Sequence, residues 1–430
     1  MGDAALDPQT RWSTAECVAF RAACAYFVLY NFPFPFGLIP GTGWLAELYE
    51  KLWVGLVPWV GQHVLHLASE ITILPNGSGD TTYNYVQLLC QVVLSALAAI
   101  VWSIAGRRRA NYTRLLGWLR VYVRYVLAVA MWGYGMNKVI KLQFPFPSAD
   151  RLMQPYGDSS PMGLLWTFMG FSTPFTFFAG ACEVLGGALL FFRRTTTLGA
   201  LVVCAVMLNI VLMNFSYDVP VKLYSANLLW MSTCLLLGDA RRLIDVFLLN
   251  RATHPVQLGP RPNNLWVRRA LVAAKLLLVG YIVVTNITSS LQARTQYGDA
   301  APKPLLCGVF SVESFTRDGQ LQPPLITDAT QWRRIGFNAY GGATVRFMDD
   351  SSQRFFAEID AVQGTLVLKA RDESGATSTF HFARPDETQL TLEGTFAKAE
   401  LKLQLHKIDE SNFTLVGRGF HWINEYPFNK

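Results

Sequence analysis

Apolar runs of about 20 residues recur through the first two thirds of the chain, the length an α-helix needs to cross a bilayer, and after Ala300 the pattern switches to strict alternation. Spans are predicted at about 16–38, 83–105, 116–141, 171–192, 196–216, 220–238 and 267–290. Within Trp44–Leu67 the apolar stretch is broken by Pro58, which predicts an interfacial helix pair rather than another crossing. In the last third Leu401, Leu403 and Leu405 alternate with Lys402, Gln404 and His406, and Val345 and Phe347 flank Arg346. Gly341-Gly342, Asp349-Asp350, Asp372-Glu373-Ser374-Gly375 and Pro385-Asp386 mark turns between such runs. The expected architecture is an α-helical polytopic membrane bundle of about seven transmembrane helices over 1–299. A small all-β antiparallel sandwich or barrel of seven or eight strands follows over 300–430.

Charge sets an orientation for this pattern. Residues 1–299 hold 23 Lys+Arg against 14 Asp+Glu, and 300–430 hold 14 against 16, so the net positive charge belongs to the hydrophobic part. Its basic residues cluster between spans: Arg107, Arg108, Arg109 and Arg114, then Arg193 and Arg194, then Arg241, Arg242, Arg251, Arg261, Arg268 and Arg269. Seven spans put all three clusters on one side, which the positive-inside rule makes cytoplasmic. The N-terminus is then expected in the cytoplasm and the β-domain outside. The same distribution argues against a nucleic-acid partner and for the lipid bilayer. The segment Met1–Arg11 is short and polar, and Cys17–Leu38 is expected to stay as the first span rather than be cleaved. Seven cysteines without a CxxC pair argue against a disulfide framework or a structural zinc site.

Two echoes and a tail add detail. Asn31-Phe-Pro-Phe-Pro35 and Gln143-Phe-Pro-Phe-Pro147 close the first and third spans, either by coincidence or as a weak repeat of two-span units. The closing segment Gly417–Asn429, dense in aromatic and polar groups, is expected to dock back onto the outer face of the membrane domain.

Candidate chemistry starts from Glu183, which sits near the middle of Phe171–Phe192 with no other charge in that stretch. A carboxylate at such depth costs on the order of 2.5–3.5 kcal/mol unless it is neutral, paired or facing a polar cavity. Either a protonated carboxyl bonded between helices or a functional group fits it. Lys138, a few residues inside the end of the third span, is expected to snorkel to the interface, although its stem is long enough to reach down toward Glu183. Asn209, Asn214, Asp218, Lys222, Tyr224 and Asn227 gather on the fifth and sixth spans and their joining loop. Individually they read as interhelical contacts, and together as the lining of a polar pocket open to the outside. His63, His66 and Glu70 read as an exposed helix face rather than a metal site, and Asn76-Gly-Ser-Gly-Asp80 as a turn. His421 and Glu425 read as docking contacts.

The stretches Arg124–Lys138, ending Trp-Gly-Tyr-Gly-Met-Asn-Lys138, then Phe178-Ala-Gly-Ala-Cys-Glu183-Val-Leu-Gly-Gly-Ala-Leu-Leu190, then Thr195-Thr-Thr-Leu-Gly-Ala200 share an order of motifs. A Gly-x-x-Lys span end, a Glu-x-x-Gly-Gly span and a turn before Leu-Gly-Ala resemble the DoxX-like family of bacterial integral membrane proteins, over residues ~116–240. The resemblance implies the bacterial cytoplasmic (inner) membrane, a quinone- or redox-associated subunit with a membrane or periplasmic protein partner, and family positions at Lys138 and Glu183. The chain departs from minimal members in its extra spans and its β-domain. A non-enzymatic membrane receptor or transporter for a lipid, metabolite or protein is the alternative class.

Overall fold

A computed structural model describes residues 11–73, 76–107, 109, 111–253, 263–372 and 375–429. Of the residues named above, the N-terminal ten, Arg108, Arg261, Glu373, Ser374 and Lys430 lie outside the described residues. The helices in chain order are α1 (Thr14–Asn31), α2 (Gly43–His63), α3 (Thr82–Ala105), α4 (Thr113–Val139), α5 (Ala149–Met153), α6 (Pro161–Phe171), α7 (Thr173–Leu190), α8 (Thr196–Ser216), α9 (Lys222–Leu237), α10 (Ala240–Phe247) and α11 (Leu265–Tyr297). Contacts divide the chain into two compact units, Met1–Ile140 with Pro174–Ser290, and Lys141–Thr173 with Leu291–Lys430. Where the change of period suggests a boundary near Ala300, the second unit thus also takes in the connection that carries α5 and α6.

Among the described residues six segments are long and apolar enough to cross a membrane: Thr14–Leu38, Thr82–Ala105, Thr113–Val139, Thr173–Leu190, Arg193–Ser216 and Leu265–Tyr297. The remaining expected span is α9, whose 16 residues rise about 24 Å, short of a hydrocarbon core of about 30 Å. The expected interfacial helix pair is instead one 21-residue helix, α2, with Pro58 inside it. Two starts are fixed by reciprocal caps. Ser13 Oγ accepts from Glu16 N while Glu16 Oε2 accepts from Ser13 N at 2.7 Å, and Thr81 and Asn84 repeat the arrangement on α3. The core of this unit joins Phe20 and Phe27 of α1, Leu127 and Met131 of α4, Leu190 of α7, Val203 and Met207 of α8, and Leu228 and Met231 of α9. Large apolar side chains elsewhere on these helices, such as Leu97, Val101, Phe178 and Leu212, are exposed, as lipid-facing surfaces require.

The second unit is built on a closed antiparallel barrel. Its strands are β1 (Gly308–Arg317), β2 (Gln320–Leu321), β3 (Trp332–Phe337), β4 (Gly342–Phe347), β5 (Ser352–Asp360), β6 (Thr365–Ala370), β7 (Thr377–Ala383), β8 (Gln389–Phe396) and β9 (Ala399–Ile408). Each of β3 to β9 pairs with its sequence neighbour, β1 pairs with β3, and β1 meets β9 from Val309↔Ile408 to Arg317↔Leu401, closing eight strands with the short β2 appended to β1. Eight strands enclose a space that side chains can fill. Here Phe310, Trp332, Phe337, Phe355, Phe380 and the expected Leu401, Leu403 and Leu405 fill it. Closure also removes the free sheet edges that would otherwise recruit other strands.

Arg346, expected to point to solvent between Val345 and Phe347, is nevertheless buried. Its guanidinium donates to Met153 O at 3.1 Å and to Asp350 Oδ1 at 3.1 Å, because α5 lies over this side of the barrel with Ala149 and Met153 against Val309. The second Phe-Pro-Phe-Pro stretch belongs to this unit, where Phe144 stacks edge-on against Trp166 at 5.0 Å and Phe146 meets Phe171 at 6.2 Å. Within its unit the closing segment is exposed: Phe420, Trp422, Ile423 and Tyr426 are each more than three quarters accessible. It folds on itself, with the Arg418 guanidinium 2.7 Å from the His421 ring and 4.7 Å from the centre of Phe428.

Candidate functional site

The site is positioned by glycines. Where α4 crosses α7, a Cβ on Gly180 would lie 2.6 Å from the Gly135 carbonyl oxygen, and one on Gly135 would lie 2.8 Å from Gly180 O. Further along the same crossing, a Cβ on Gly187 would sit 2.9 Å from Ala128 O. Only backbones without side chains can approach so closely, and lipid-embedded helices associate through such small-residue seams. Gly180, Glu183 and Gly187 follow one another at spacings of three and four, so the carboxyl projects from the same stripe that faces α4. Lys138 follows Gly135 by three and meets it there.

The result is a direct ion pair. Lys138 Nζ lies 2.7 Å from Glu183 Oε1 and 2.9 Å from Oε2, with the two side chains 9 % and 2 % exposed. The snorkelling expected for Lys138 does not occur: the gain from neutralising Glu183 in an apolar seam exceeds that from hydrating one ammonium at the interface. Tyr134 stands beside the pair and begins a run of tyrosines from three helices. The Lys138 ammonium is 6.0 Å from the Tyr134 ring centre, and Tyr134 packs on Tyr224 of α9 at 5.9 Å. Tyr30 of α1 is within electrostatic range of both, and it stacks on Tyr26 at 5.6 Å. Tyr26 donates to Asn227 Oδ1, and Asn227 Nδ2 donates to Leu223 O at 3.0 Å.

Of the expected pocket residues, Tyr224 and Asn227 therefore belong to this cluster. Asn214 is buried but serves α9, donating to Ser225 Oγ at 3.0 Å. Asp218 and Lys222 form a local pair at 2.8 Å on the joining loop. Asn209 is exposed on α8. The loop at Asp80, a turn as expected, also caps α9 from the start of α3, since Asp80 accepts from Lys222 N at 2.7 Å and from Leu223 N at 2.9 Å. His63 ends α2, whereas His66 and Glu70 lie beyond it, all three exposed. No group of three or more His, Cys, Asp or Glu among the described residues could hold a metal ion.

Tyr26, Tyr30 and Tyr134 are not legible as site residues in the sequence, since tyrosine near span ends is common as an interfacial anchor. Their signal is the spacing of Tyr26 and Tyr30 at i, i+4, which places both hydroxyls on one face. Sequence reasoning also misses Arg21. It is buried, and donates to Tyr112 OH at 3.0 and 3.1 Å, Ser103 Oγ at 2.8 Å and Gly106 O at 3.3 Å, which ties α1 to the α3–α4 turn.

No family model matches the chain, and no solved structure matches it. Over 124 residues, 29% of this chain, it is 33% identical to the uncharacterized protein YwoB of Bacillus subtilis (strain 168), covering 79% of that protein.

Proposed function

We propose that the helical unit of this chain, which belongs to the same family as YwoB, is a DoxX-like membrane module in which Lys138 and Glu183 exchange protons with a quinone-class partner in a membrane redox complex. The buried pair carries this reading. An ionisable pair inside a span is costly to keep, and hydrophobic replacements usually stabilise as well or better, so its retention points to proton or ligand handling. The chain's residues suit a flat carbonyl compound: Lys138 Nζ is a proton donor, Glu183 Oε1 at 2.7 Å can receive and return that proton, and the Tyr134 and Tyr224 rings offer aromatic walls. A quinone held there would bring two oxygens that take up protons as electrons arrive. The proposed setting is the bacterial cytoplasmic membrane, with the 16-residue α9 taken as a short seventh crossing in a locally thinned bilayer, the N-terminus inside, the barrel outside, and a membrane or periplasmic protein as electron partner.

A second reading rests on a different feature. A cavity of about 680 Å³ between α1, α2 and α3, lined by Cys24, Val28, Leu48, Leu52, Leu94 and Trp102, is apolar enough for a lipid chain. In that reading the protein is a non-enzymatic receptor or transporter. Protein purified in mild detergent should retain a quinone, found by mass spectrometry, and show a quinone-dependent absorbance change on reduction. A Lys138→Met/Glu183→Gln protein should keep its fold and lose that change. Retained lipid with neither quinone nor absorbance change would reject the redox proposal in favour of the second reading.

A further inference from the structure

The short helix after α9 presents an apolar face that no described part of the protein covers. Along α10, Ala240, Leu243, Ile244 and Phe247 stand at i, i+3, i+4 and i+7, one stripe of a helix, while Arg241, Arg242 and Asp245 occupy the opposite side. Phe247 is 69 % exposed, Leu248 just beyond the helix is 77 % exposed, and Ile244 is exposed with them. The eight residues of α10 rise about 12 Å, so this face cannot meet lipid by crossing the bilayer as the spans do.

Its place is fixed by Asp239, a buried residue between α9 and α10. Asp239 accepts from Thr197 Oγ1 at 2.7 Å and pairs with Arg120 of α4 at 3.2 Å and with Arg242 at 3.7 Å. The 21 residues of α8 rise about 32 Å, which matches a hydrocarbon core of about 30 Å. Thr197, the second residue of α8, therefore marks the edge of that core, and α10 starts there. The chain turns at Asn250, whose φ is +48°, and the Arg251 N–H donates to Asp245 O at 2.7 Å, which brings Arg251 back beside the last turn of the helix. Arg241 and Arg251 are both exposed.

We propose that α10 lies in the bilayer surface as an interfacial anchor, with Phe247 and Leu248 among the acyl chains and Arg241 and Arg251 on the headgroups of anionic phospholipid. An apolar stripe at headgroup level with arginines on the other side is the composition that holds a helix in that plane. Charge complementarity selects the lipid, because a guanidinium matches phosphate oxygens and a headgroup of net negative charge attracts it more than a zwitterionic one. Neither the Lys138–Glu183 pair nor a quinone takes part in this contact.

The full-length protein would carry a photoreactive benzoylphenylalanine in place of Phe247, or in a second preparation in place of Asp245, in nanodiscs of equal parts phosphatidylcholine and phosphatidylglycerol. After irradiation the adducts would be identified by mass spectrometry. Position 247 should join mainly lipid, and position 245 several-fold less. Phosphatidylglycerol adducts should outnumber phosphatidylcholine adducts about fivefold, the ratio that one arginine contact of about 1 kcal/mol supplies. Arg241→Gln/Arg251→Gln, changed only at exposed positions, should bring that ratio back to about one. Covalent dimers from position 247 would assign the face to a second copy of the chain and overturn the anchor. Equal lipid labelling at 247 and 245, or none at 247, would overturn the in-plane helix, and a ratio unchanged in the double variant would overturn the arginine contacts.

Discussion

Removing one partner of the Lys138–Glu183 pair should destabilise the protein far more than removing both, and the two single changes should respond to pH in opposite directions. In Lys138→Met the Glu183 side chain, 2 % exposed, is left as an unpaired carboxyl that can escape by taking a proton. Neutralising an ordinary carboxyl with a pKa of about 4.3 at pH 7 costs about 3.7 kcal/mol, at about 1.36 kcal/mol per unit. In Glu183→Gln the ammonium is stranded instead, and neutralising an ordinary lysine with a pKa of about 10.4 costs about 4.6 kcal/mol. These are ceilings, and both fall in the range of about 3–5 kcal/mol found for breaking buried pairs. Lowering the pH from about 7 to 5.5 reduces the first ceiling by about 2 kcal/mol, because a neutral carboxyl needs no partner. Raising it to about 8.5 does the same for the second.

Thermal unfolding in detergent at those three pH values checks this. Lys138→Met should recover toward wild type in acid and worsen in base, Glu183→Gln should do the reverse, and the double variant should stay within about 1–2 kcal/mol of wild type throughout. Single variants that melt like wild type at pH 7, or that share one pH trend, would refute a buried ion pair. Without a partner in view, Glu183→Gln reads as a neutral probe of function. With an ammonium 2.7 Å away it is a destabilising one, and only the double variant separates function from folding.

Gly180→Val should force α4 and α7 apart, since its Cβ would already lie 2.6 Å from Gly135 O, and should cost at least about 1–3 kcal/mol, read as a lower melting temperature. Asp80→Ala should cost about 1–2 kcal/mol and speed hydrogen exchange at Lys222 and Leu223, whose N–H groups it caps; unchanged exchange there would remove the cap. In the barrel, the Arg346 guanidinium holds the Asp350 carboxyl below its usual range, with Arg333 adding to the effect. A depressed folded value means stability present above the unfolded value of about 3.9 and lost as the pH falls through the folded one, so Asp350→Asn should flatten the acid side of the barrel's melting profile. A reporter active only in the cytoplasm should work after Arg109, Arg194 and Arg251 and fail after Gly79, Asp158 and Lys430; activity at Lys430 would remove the proposed orientation.

How much of this is legible in the sequence follows from the range of each interaction. Spans, strands and the isolated charges Glu183 and Lys138 are written in local pattern, and the two charges can be matched because each lacks a partner within its own apolar run. Asn209 is misplaced for a reason the sequence does contain. The buried positions of α8 are Gly199, Ala200, Val203, Met207 and Asn214, and a residue two beyond Met207 falls about 200° around the helix, on the far side. Asp218 and Lys222 read as pocket residues because the joining loop holds an acid and a base near the outer surface; they pair with each other instead, and Lys222 is held further by Asp80, brought in from 142 residues away. The connection 141–173 carries no period linking it to the barrel, and its attachment through Ala149, Met153 and the buried Arg346 is a tertiary fact.

The seam also bears on why the pair is kept. α4 and α7 are already locked by three glycine approaches at backbone distance, so packing alone does not require a lysine and a glutamate between them. A methionine and a leucine would fill that space without the desolvation that two charges incur, and in the interior such replacements are commonly neutral or stabilising by about 1–4 kcal/mol. The pair's presence in a seam that holds without it, with the Tyr134 ring 6.0 Å from the ammonium, is the physical ground for proposing that it handles protons or a ligand. A stable but inactive double variant is the outcome that this reasoning requires.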